Sequence, residues 1–462
     1  MSEYKIQSAR QYYISSVILR SDVNNDFYDL LNIYHRILIY ESMTHTFIQG
    51  KIEITDTNGL IESLPIVGEE KIIFRIKKTA SDKKYFEVIG HVYKISNRIR
   101  EKGKKGVEKY TLEFITPNAL INQNQRVSKT YEDDVSKSVE DISKNFLGLS
   151  KKNNKPKDDD NPKLYKDIYI EKTFKKMKLN IPNLKPVEAI NFLSKFSYSR
   201  NTKLNKNPFN TSYRFYQTRQ GYFYQSLEKT ITENQKNIKH RFLVSNDPNI
   251  KYNNKNIDKK DLFTVYDYEF INFYDVFSSS NDGYYGCRNI GYDTLTKSVH
   301  KYDLNYESNF NQMTHLEKNN TNSKKFNLNG KDSEKTLILS LPTKKGTDKS
   351  EYVKSKEKTK DIFYNKEEKI DVIKRVKTER FNEGIVIEMK IPSNPYLNIN
   401  DIIYLHFPSY IRENGGKNFL DDKYFSGKYL VVSITHILSS KELSRWEMLV
   451  TVLKDSYKSE IR

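Results

Sequence analysis

The sequence predicts a β-rich α+β fold, with antiparallel strands at both ends and a mixed α/β region between them. Three observations carry this expectation. Apolar and polar residues alternate in several runs within residues 1–118. Helical spacing and linker chemistry take over in the middle, and strict alternation returns from Ile385 onward. The 34 Tyr and 24 Phe exclude a wholly disordered chain, which could not carry so many large apolar side chains. At roughly 150 residues per domain, 462 residues correspond to about three domains.

In chain order, Ile48, Gly50, Ile52 and Ile54 alternate with Gln49, Lys51, Glu53 and Thr55, the two-residue period of a half-buried strand. Asp56-Thr57-Asn58-Gly59 supplies turn chemistry. Further alternating runs lie at Lys71–Lys77, Tyr85–Ile95 and Tyr110–Ile115. Strands at this density, with short polar breaks and no intervening helix, argue an antiparallel barrel or sandwich. Val135, Val139, Ile142 and Phe146 then form one apolar stripe of a helix that Gly148 is placed to close. Lys151–Pro162 is a linker with two prolines and no large apolar residue. Its Asp158-Asp159-Asp160 run lacks the ligand spacing and turn glycine of a calcium loop and is read as solvated.

Beyond the linker, Ile168–Ile181 reads as extended and Pro186 opens a helix carrying Val187, Ile190, Leu193 and Phe196. Tyr213–Tyr216 and Tyr222–Gln225 flank Gln217-Thr218-Arg219-Gln220-Gly221 as a hairpin. Asn234–Asp261 is polar and loop-like, and Leu262–Phe277 fits a strand or a helix equally. Ile362–Arg380 reads as a helix with Ile362, Ile370, Ile373 and Val376 inward. At the C-terminus Ile385, Ile387, Met389 and Ile391 alternate, Asp401–Phe407 is a continuous buried-type run, and Leu430, Val432 and Ile434 alternate, as do Trp446, Met448, Val450 and Val452.

The formal charge of +19 invites a nucleic-acid reading. Residues 318–380, however, hold 18 Lys/Arg against 10 Asp/Glu with few large apolar residues, so over a third of the surplus lies in one solvated segment. The aromatic-basic stretch Tyr213-Arg214-Phe215-Tyr216 could stack bases. A strand packing its Tyr and Phe with Arg exposed is the favoured reading. The first twenty residues include Glu3, Lys5, Arg10 and Arg20, no signal-peptide apolar core, so a soluble protein kept without secretion is expected. The longest apolar run, Tyr429–Leu438, suits a buried strand and is too short to span a bilayer.

No catalytic, cofactor-binding or metal-ligating residues are expected. HExxH, GxxxxGK[ST], GxSxG and a strand-borne GxGxxG are all missing, and Gly283, Gly286 and Gly291 have the wrong spacing for a phosphate loop. The single Cys287 excludes an intramolecular disulfide and a cysteine-based zinc site, and reads as a structural thiol. His406 and His436 interrupt apolar strands, while His35 and His45 lie across a strand pair. All four read as packing residues. Asn210-Thr211-Ser212 and Asn319-Asn320-Thr321 match glycosylation acceptors by coincidence.

Several stretches together resemble one family. Ile37-Leu-Ile-Tyr-Glu-Ser42 leads into Phe47-Ile-Gln-Gly-Lys-Ile-Glu-Ile-Thr-Asp56 and Leu64-Pro-Ile-Val-Gly68-Glu69, and Tyr110–Phe114, Arg126-Val-Ser-Lys129 and the helix Asp133–Leu147 follow. Ile181-Pro-Asn-Leu184, Pro186, Phe215-Tyr216, Gly221-Tyr-Phe223 and Ser226-Leu227 continue the series. Next come Asp282-Gly-Tyr-Tyr285, Asp293-Thr-Leu-Thr-Lys297 and Thr314-His315-Leu316, then Asn400-Asp-Ile-Ile403, Pro408, Ser426-Gly-Lys-Tyr429 and Leu453-Lys-Asp-Ser456. Short and degenerate singly, these motifs in this order resemble the baseplate central hub proteins of contractile-tailed, T-even-like bacteriophages, which are related to the hub portion of type VI secretion spike proteins. Residues 319–360 match nothing in that pattern. Where the family carries Pro-Gly and Gly-Asp pairs, this chain has Pro392-Ser393 and Asn400-Asp401. Asn tolerates the left-handed backbone, so the second turn is expected to survive.

The resemblance implies two tube-type antiparallel β-barrels around a mixed α/β middle. The expected divisions are 1–150, a first barrel with its helix; 151–163, a linker; 164–317, a mixed region open to lending strands to the second barrel from around Tyr165–Ile181 or Tyr213–Gln225; 318–380, a charged insertion and helix; and 381–462, the second barrel. It also implies a homotrimeric structural protein, not an enzyme, in the virion tail baseplate, assembled in the host cytoplasm. Its partners would be the tail tube protein, a trimeric central spike and other baseplate proteins, with DNA only as passing cargo and no membrane insertion. A nucleic-acid-binding protein and a tail-associated cell-wall hydrolase are the alternatives.

Overall fold

The structure is a computed structural model that describes residues 12–21, 26–64, 66–68, 70–78, 85–100, 106–152, 166–174, 176–200, 209–236, 238–244, 264–273, 275, 279, 286–293, 297–320, 335–339, 368–382, 384–409, 421–440 and 445–460. The fold is β-rich α+β, as expected, and is dominated by one fourteen-stranded sheet.

The N-terminal part supplies β1 (Tyr13–Arg20), β2 (Phe27–Asp29), β3 (Tyr34–Ser42), β4 (Gln49–Asp56), β5 (Lys71–Lys77), β6 (Phe86–Arg100) and β7 (Glu108–Ile115), paired in the order β3-β4-β7-β6-β5-β1-β2. Alternation selects the core face: Ile52, Leu112, Phe74 and Val88 are buried from neighbouring strands. The expectation of no intervening helix is corrected by the one-turn α1 (Leu60–Ser63). The Asp56 carboxylate accepts from the N–H groups of Asn58 at 2.8 Å and Leu60 at 2.6 Å, so an Asx-type turn winds directly into a helical turn. The short helix α2 (Pro117–Asn124) follows β7.

The middle begins with β8 (Val127–Asp134) and α3 (Val135–Leu147), whose Val135, Val139 and Ile142 are buried while Phe146 is partly so, and which ends at Gly148. Lys151 and Lys152, read as linker, belong to β9 (Ser150–Lys152), which pairs in parallel with β10 (Asp167–Ile170). The rest of that linker, with Asp158–Asp160, lies outside the described residues. Then come β11 (Lys176–Leu184), α4 (Pro186–Ser194), the short pair β12 (Ser199–Arg200) and β13 (Phe209–Asn210), the expected hairpin β14 (Tyr213–Thr218) and β15 (Gly221–Ser226), and α5 (Leu227–Asn234). Strands β14, β15, β10 and β9 make a separate sheet, and β11 pairs with β8.

One expectation fails next, and one open alternative is resolved. The polar stretch 234–261 contains a strand, β16 (His240–Val244), with Phe242 and Val244 buried. The ambiguous stretch after it resolves to β17 (Thr264–Val265) and β18 (Asp267–Asn272), separated by Tyr266 alone. Further on lie β19 (Gly286–Asp293), β20 (Ser298–Asn305), α6 (Tyr306–Asn309) and β21 (Lys335–Leu339), the last inside the expected insertion and paired in parallel with β19. Asp282–Tyr285, residues 321–334 and residues 340–367, including Ile362, lie outside the described residues, as does the Ile370 side chain. Helix α7 (Glu368–Asn382) buries Ile373 and Val376 as its spacing predicted.

The C-terminal strands are β22 (Ile385–Pro392), β23 (Ile402–His406), β24 (Gly427–Ser439) and β25 (Arg445–Lys454). Their partners from the middle are β18 on β22 and β16 on β23. The stretches expected to lend strands, near residues 165–181 and 213–225, pair elsewhere. Tyr213, Phe215, Tyr222 and Tyr224 bury into a second core instead, together with α3, α4 and α7. Asn400, before β23, has φ 77°, so the left-handed turn survives without glycine. Strand β24 joins the two ends of the chain: Gly427–Leu430 pair with β23, and Ser433–Ser439 pair antiparallel with Ser42–Arg36 of β3. No helix among the described residues is long and apolar enough to cross a membrane.

Candidate functional site: the junction of the two strand-rich ends

The β3–β24 seam is built from the first family-like motif, Ile37–Ser42. His436 lies opposite Ile39, and Glu41, two residues along, shares its face. His436 Nε2–H donates to Glu41 Oε1 at 2.9 Å, and the indole N–H of Trp446 on β25 donates to His436 Nδ1 at 3.2 Å. A ring that accepts at Nδ1 and donates at Nε2 is the neutral imidazole. The cation comes from the middle region. Arg219, at the tip of the β14–β15 hairpin, places Nε 2.9 Å from Glu41 Oε1, and its backbone N–H donates to Oε2 at 3.2 Å. Its guanidinium also donates to the carbonyls of Pro395 at 3.3 Å and of Leu397, and lies over the Phe86 ring.

Three separate parts of the chain thus meet on one buried carboxylate. Glu41, Arg219 and His436 expose 1%, 5% and 0% of their side chains. Burial alone would raise the Glu41 pKa, but the Arg219 charge and the His436 hydrogen bond outweigh it and hold the carboxyl below its ordinary range. Burial also pushes His436 below its ordinary 6.5, helped by the Arg219 charge and opposed by Glu41. An imidazole that resists protonation in the fold leaves the unfolded chain binding more protons once the pH drops below 6.5, so stability falls with pH from there. Glu41, depressed in the fold, loses its contribution only at lower pH, below its ordinary 4.5. The urea midpoint reported by Trp446 fluorescence is therefore expected to fall between about pH 7.5 and about pH 5.5, and to fall less in His436→Gln, which keeps a donor for Glu41 without titrating.

Other motifs that the sequence only set in order are brought into contact. His315 Nδ1 donates to Asp455 Oδ2 at 2.8 Å, the Leu316 N–H to Asp455 Oδ1 at 3.1 Å, and the Glu317 N–H to Ser456 Oγ at 2.7 Å. Thr314-His-Leu316 is thereby joined to Leu453-Lys-Asp-Ser456. Burial pushes Asp455 up, and the His315 hydrogen bond and charge outweigh it. Lys454 is wholly buried and donates to the carbonyls of Tyr424 and Ser426, each at 2.9 Å. Burial pushes its ammonium down to about 8. Gln217, beside Phe215-Tyr216, accepts from the Ile48 N–H at 3.1 Å and from Thr116 Oγ1 at 2.8 Å, which docks the hairpin on the first strands. Lys377 of α7 meets Glu228 of α5 at 3.1 Å, both buried.

His406 faces Asp421 at 3.0 Å and leans on Tyr404, His35 reaches Thr55, and Cys287 is buried. Asn210 is buried too. Among the described residues no three His, Cys, Asp or Glu gather to hold a metal. Tyr213, Phe215 and Tyr216 are buried and offer no stacking platform; Arg214, expected to be exposed, is half-buried and lines a partly open pocket. Sequence reasoning missed Glu41, Arg219 and Lys377. The only available signal was an acid and a histidine interrupting two otherwise apolar strands, and nothing in a linear sequence says that those strands are neighbours.

No protein-family model matches the chain, and no curated protein matches it. Solved structures do. The tail protein from Neisseria meningitidis MC58 aligns at 8% identity over 98% of this chain and 100% of its own, with TM-score 0.51. The 43 kDa tail protein of prophage MuSo2 from Shewanella oneidensis aligns at 11% identity over 96% and 100%, with TM-score 0.54. A chain of the lidded Francisella PdpA-VgrG complex aligns at 13% identity over 99% of this chain and 55% of its own, with TM-score 0.45. At such identities the likeness is one of fold. Along nearly its whole length this chain has the fold of phage tail proteins.

Proposed function

We propose that the chain is a structural baseplate hub of a phage tail, not an enzyme. Three copies, each with two tube-type barrels, would present six barrels around one axis. A sixfold tail tube could stack on one face, and a trimeric spike could keep threefold contacts with the other. DNA would pass through the central channel without being read. The observation that carries this reading is the end-to-end likeness to tail proteins. The neighbour order of the strands supports two barrels. Strands β3-β4-β7-β6-β5-β1 run round to Tyr12, whose hydroxyl meets that of Tyr34 on β3 at 2.9 Å. Strands β22-β25-β24-β23-β16-β17 run round to β18, one residue beyond β17 and hydrogen-bonded to β22. The division into barrels at both ends, linker, mixed middle and charged insertion is proposed on the same basis.

Subunit contacts have material to use. Phe27 on β2 and Ile271 on β18 are 72% and 57% exposed, and each strand pairs on one side only among the described residues. Light scattering on the purified chain is expected to give a trimer mass, alone or on addition of the spike. A strict monomer at high concentration under both conditions would overturn the proposal.

A further inference from the structure

On the N-terminal strands the outward basic side chains are answered by acids. Lys51 and Lys94 reach Glu113, and Arg98 and Arg100 reach Glu108. The C-terminal strands differ. Across β16, β23 and β24 the register sets Arg241 opposite Tyr404 and Tyr404 opposite Lys428, so the three share one face. That face is turned away from the core, into which Phe242, Leu405 and Tyr429 alternate. Arg241 lies over the Tyr404 ring at 5.5 Å, and Lys458 Nζ donates to the Tyr404 hydroxyl at 3.0 Å. Lys428 also lines an open cleft of about 720 Å³, together with Lys236, just past α5, and Lys318. None of these five cations forms an ion pair among the described residues. The carboxylates that act on the group are already engaged. Glu317 Oε1 accepts the Lys428 backbone N–H at 3.0 Å, and Asp421 accepts from His406 at 3.0 Å and from Tyr404 at 3.4 Å.

Like charges gathered in a concave surface repel one another, and an anion placed among them is attracted by all of them at once. Lysine ammoniums are point charges on flexible stems and impose no fork geometry, so the cleft suits a flexible anion. Single-stranded nucleic acid would need a free aromatic face on which to stack its bases. Tyr404 is half-buried beneath Arg241, and Phe310 in the cleft wall is buried and stacked on His315 at 3.9 Å. A duplex is too stiff and convex to enter the cleft, whereas an extended peptide can. We propose that this face docks an acidic segment of a partner protein, its Asp or Glu side chains lying between Lys236, Lys318 and Lys428 and beside Arg241 and Lys458. Because the cations stand at solvent, they steer the encounter and make it salt-sensitive more than they tighten it. The docking face rests on these charges alone and stands apart from the hub reading, which light scattering tests separately.

The test uses the full chain with a short labelled oligoglutamate, its oligoglutamine counterpart and a single-stranded oligothymidylate of equal charge, followed by fluorescence anisotropy at low salt. Oligoglutamate is expected to bind at least about tenfold more tightly than oligoglutamine, and more tightly than oligothymidylate. Lys236→Glu/Lys318→Glu/Lys428→Glu is expected to lose that binding by about tenfold or more. Lys144→Glu/Lys172→Glu/Lys195→Glu, which changes the net charge equally at exposed positions on other elements, is expected to keep it. A second arm needs no variant. Carbodiimide should join oligoglutamate carboxylates to Lys236, Lys318 or Lys428 of the unmodified protein, mapped by peptide mass. No oligoglutamate binding at about 1 mM, equal losses in the two triple variants, a preference for oligothymidylate, or crosslinks confined to other lysines would each overturn the proposal.

Discussion

Arg219→Met is expected to cost about 3–5 kcal/mol, the penalty for removing one partner of a buried ion pair and leaving the other charge behind. Glu41 would then sit wholly buried, with only the His436 N–H and one backbone N–H to hold its charge. The carbonyls of Pro395 and Leu397 would lose their donors in the same step. The damage should reach beyond the hairpin, because Arg219 is where the middle region grips both strand-rich ends. Trp446 is the only tryptophan in the chain and donates to His436, one contact away from Glu41, so its fluorescence reads this junction directly. The urea midpoint of that signal should drop in Arg219→Met and drop less in the double variant Glu41→Gln/Arg219→Met, where no charge is stranded. Equal midpoints for the single and double variants would mean that the pair is uncoupled and that the buried charge is not what joins the three parts.

The same residues show what a linear sequence can and cannot convey. The period-two runs predicted strands at both ends because alternation is a local property of one strand facing a core, and Ile52, Ile387, Val450 and their neighbours are buried accordingly. The helix at Val135 and the hairpin at Tyr213 followed from equally local rules of spacing and turn chemistry. The strand at His240 was hidden because its five residues begin with His and Arg and stand among lysines and asparagines. It is a strand because β17 and β23 pair on either side of it. Arg219 and Arg214 sit five residues apart in one hairpin, and nothing local distinguishes the arginine that meets a buried glutamate from the half-buried one that lines a partly open pocket. That difference exists only once β3, β14 and α7 are brought together.

A methyl group at Gly50 is expected to be about as disruptive as a lost core contact, destabilising by about 3 kcal/mol, the upper end for overpacking. Gly50 on β4 lies opposite Phe114 on β7, on the inward side of an alternation otherwise made of isoleucines. A Cβ built there would stand 2.3 Å from Phe114 Cζ and 2.5 Å from the carbonyl oxygen of Leu38. The first atom belongs to a ring that could tilt, but the second is backbone of the adjoining strand and cannot move without breaking the β3–β4 ladder. Nor is the ring free to retreat, because on its far side a Cβ at Gly90 of β6 would stand 2.6 Å from Phe114 Cδ2. Phe114 therefore lies flat across three strands in a slot that both glycines leave open, and it meets Phe74 edge-on at 6.2 Å. Gly50→Ala should lower the melting temperature sharply. Gly50→Ala/Phe114→Leu should recover only part of the loss, since the smaller side chain relieves the ring contact and leaves the Leu38 carbonyl where it was. Full recovery in the double variant would place the whole constraint on the ring. No loss in the single variant would mean that β3 and β4 can separate at this point, and with them the strand that carries Glu41 to the seam with β24.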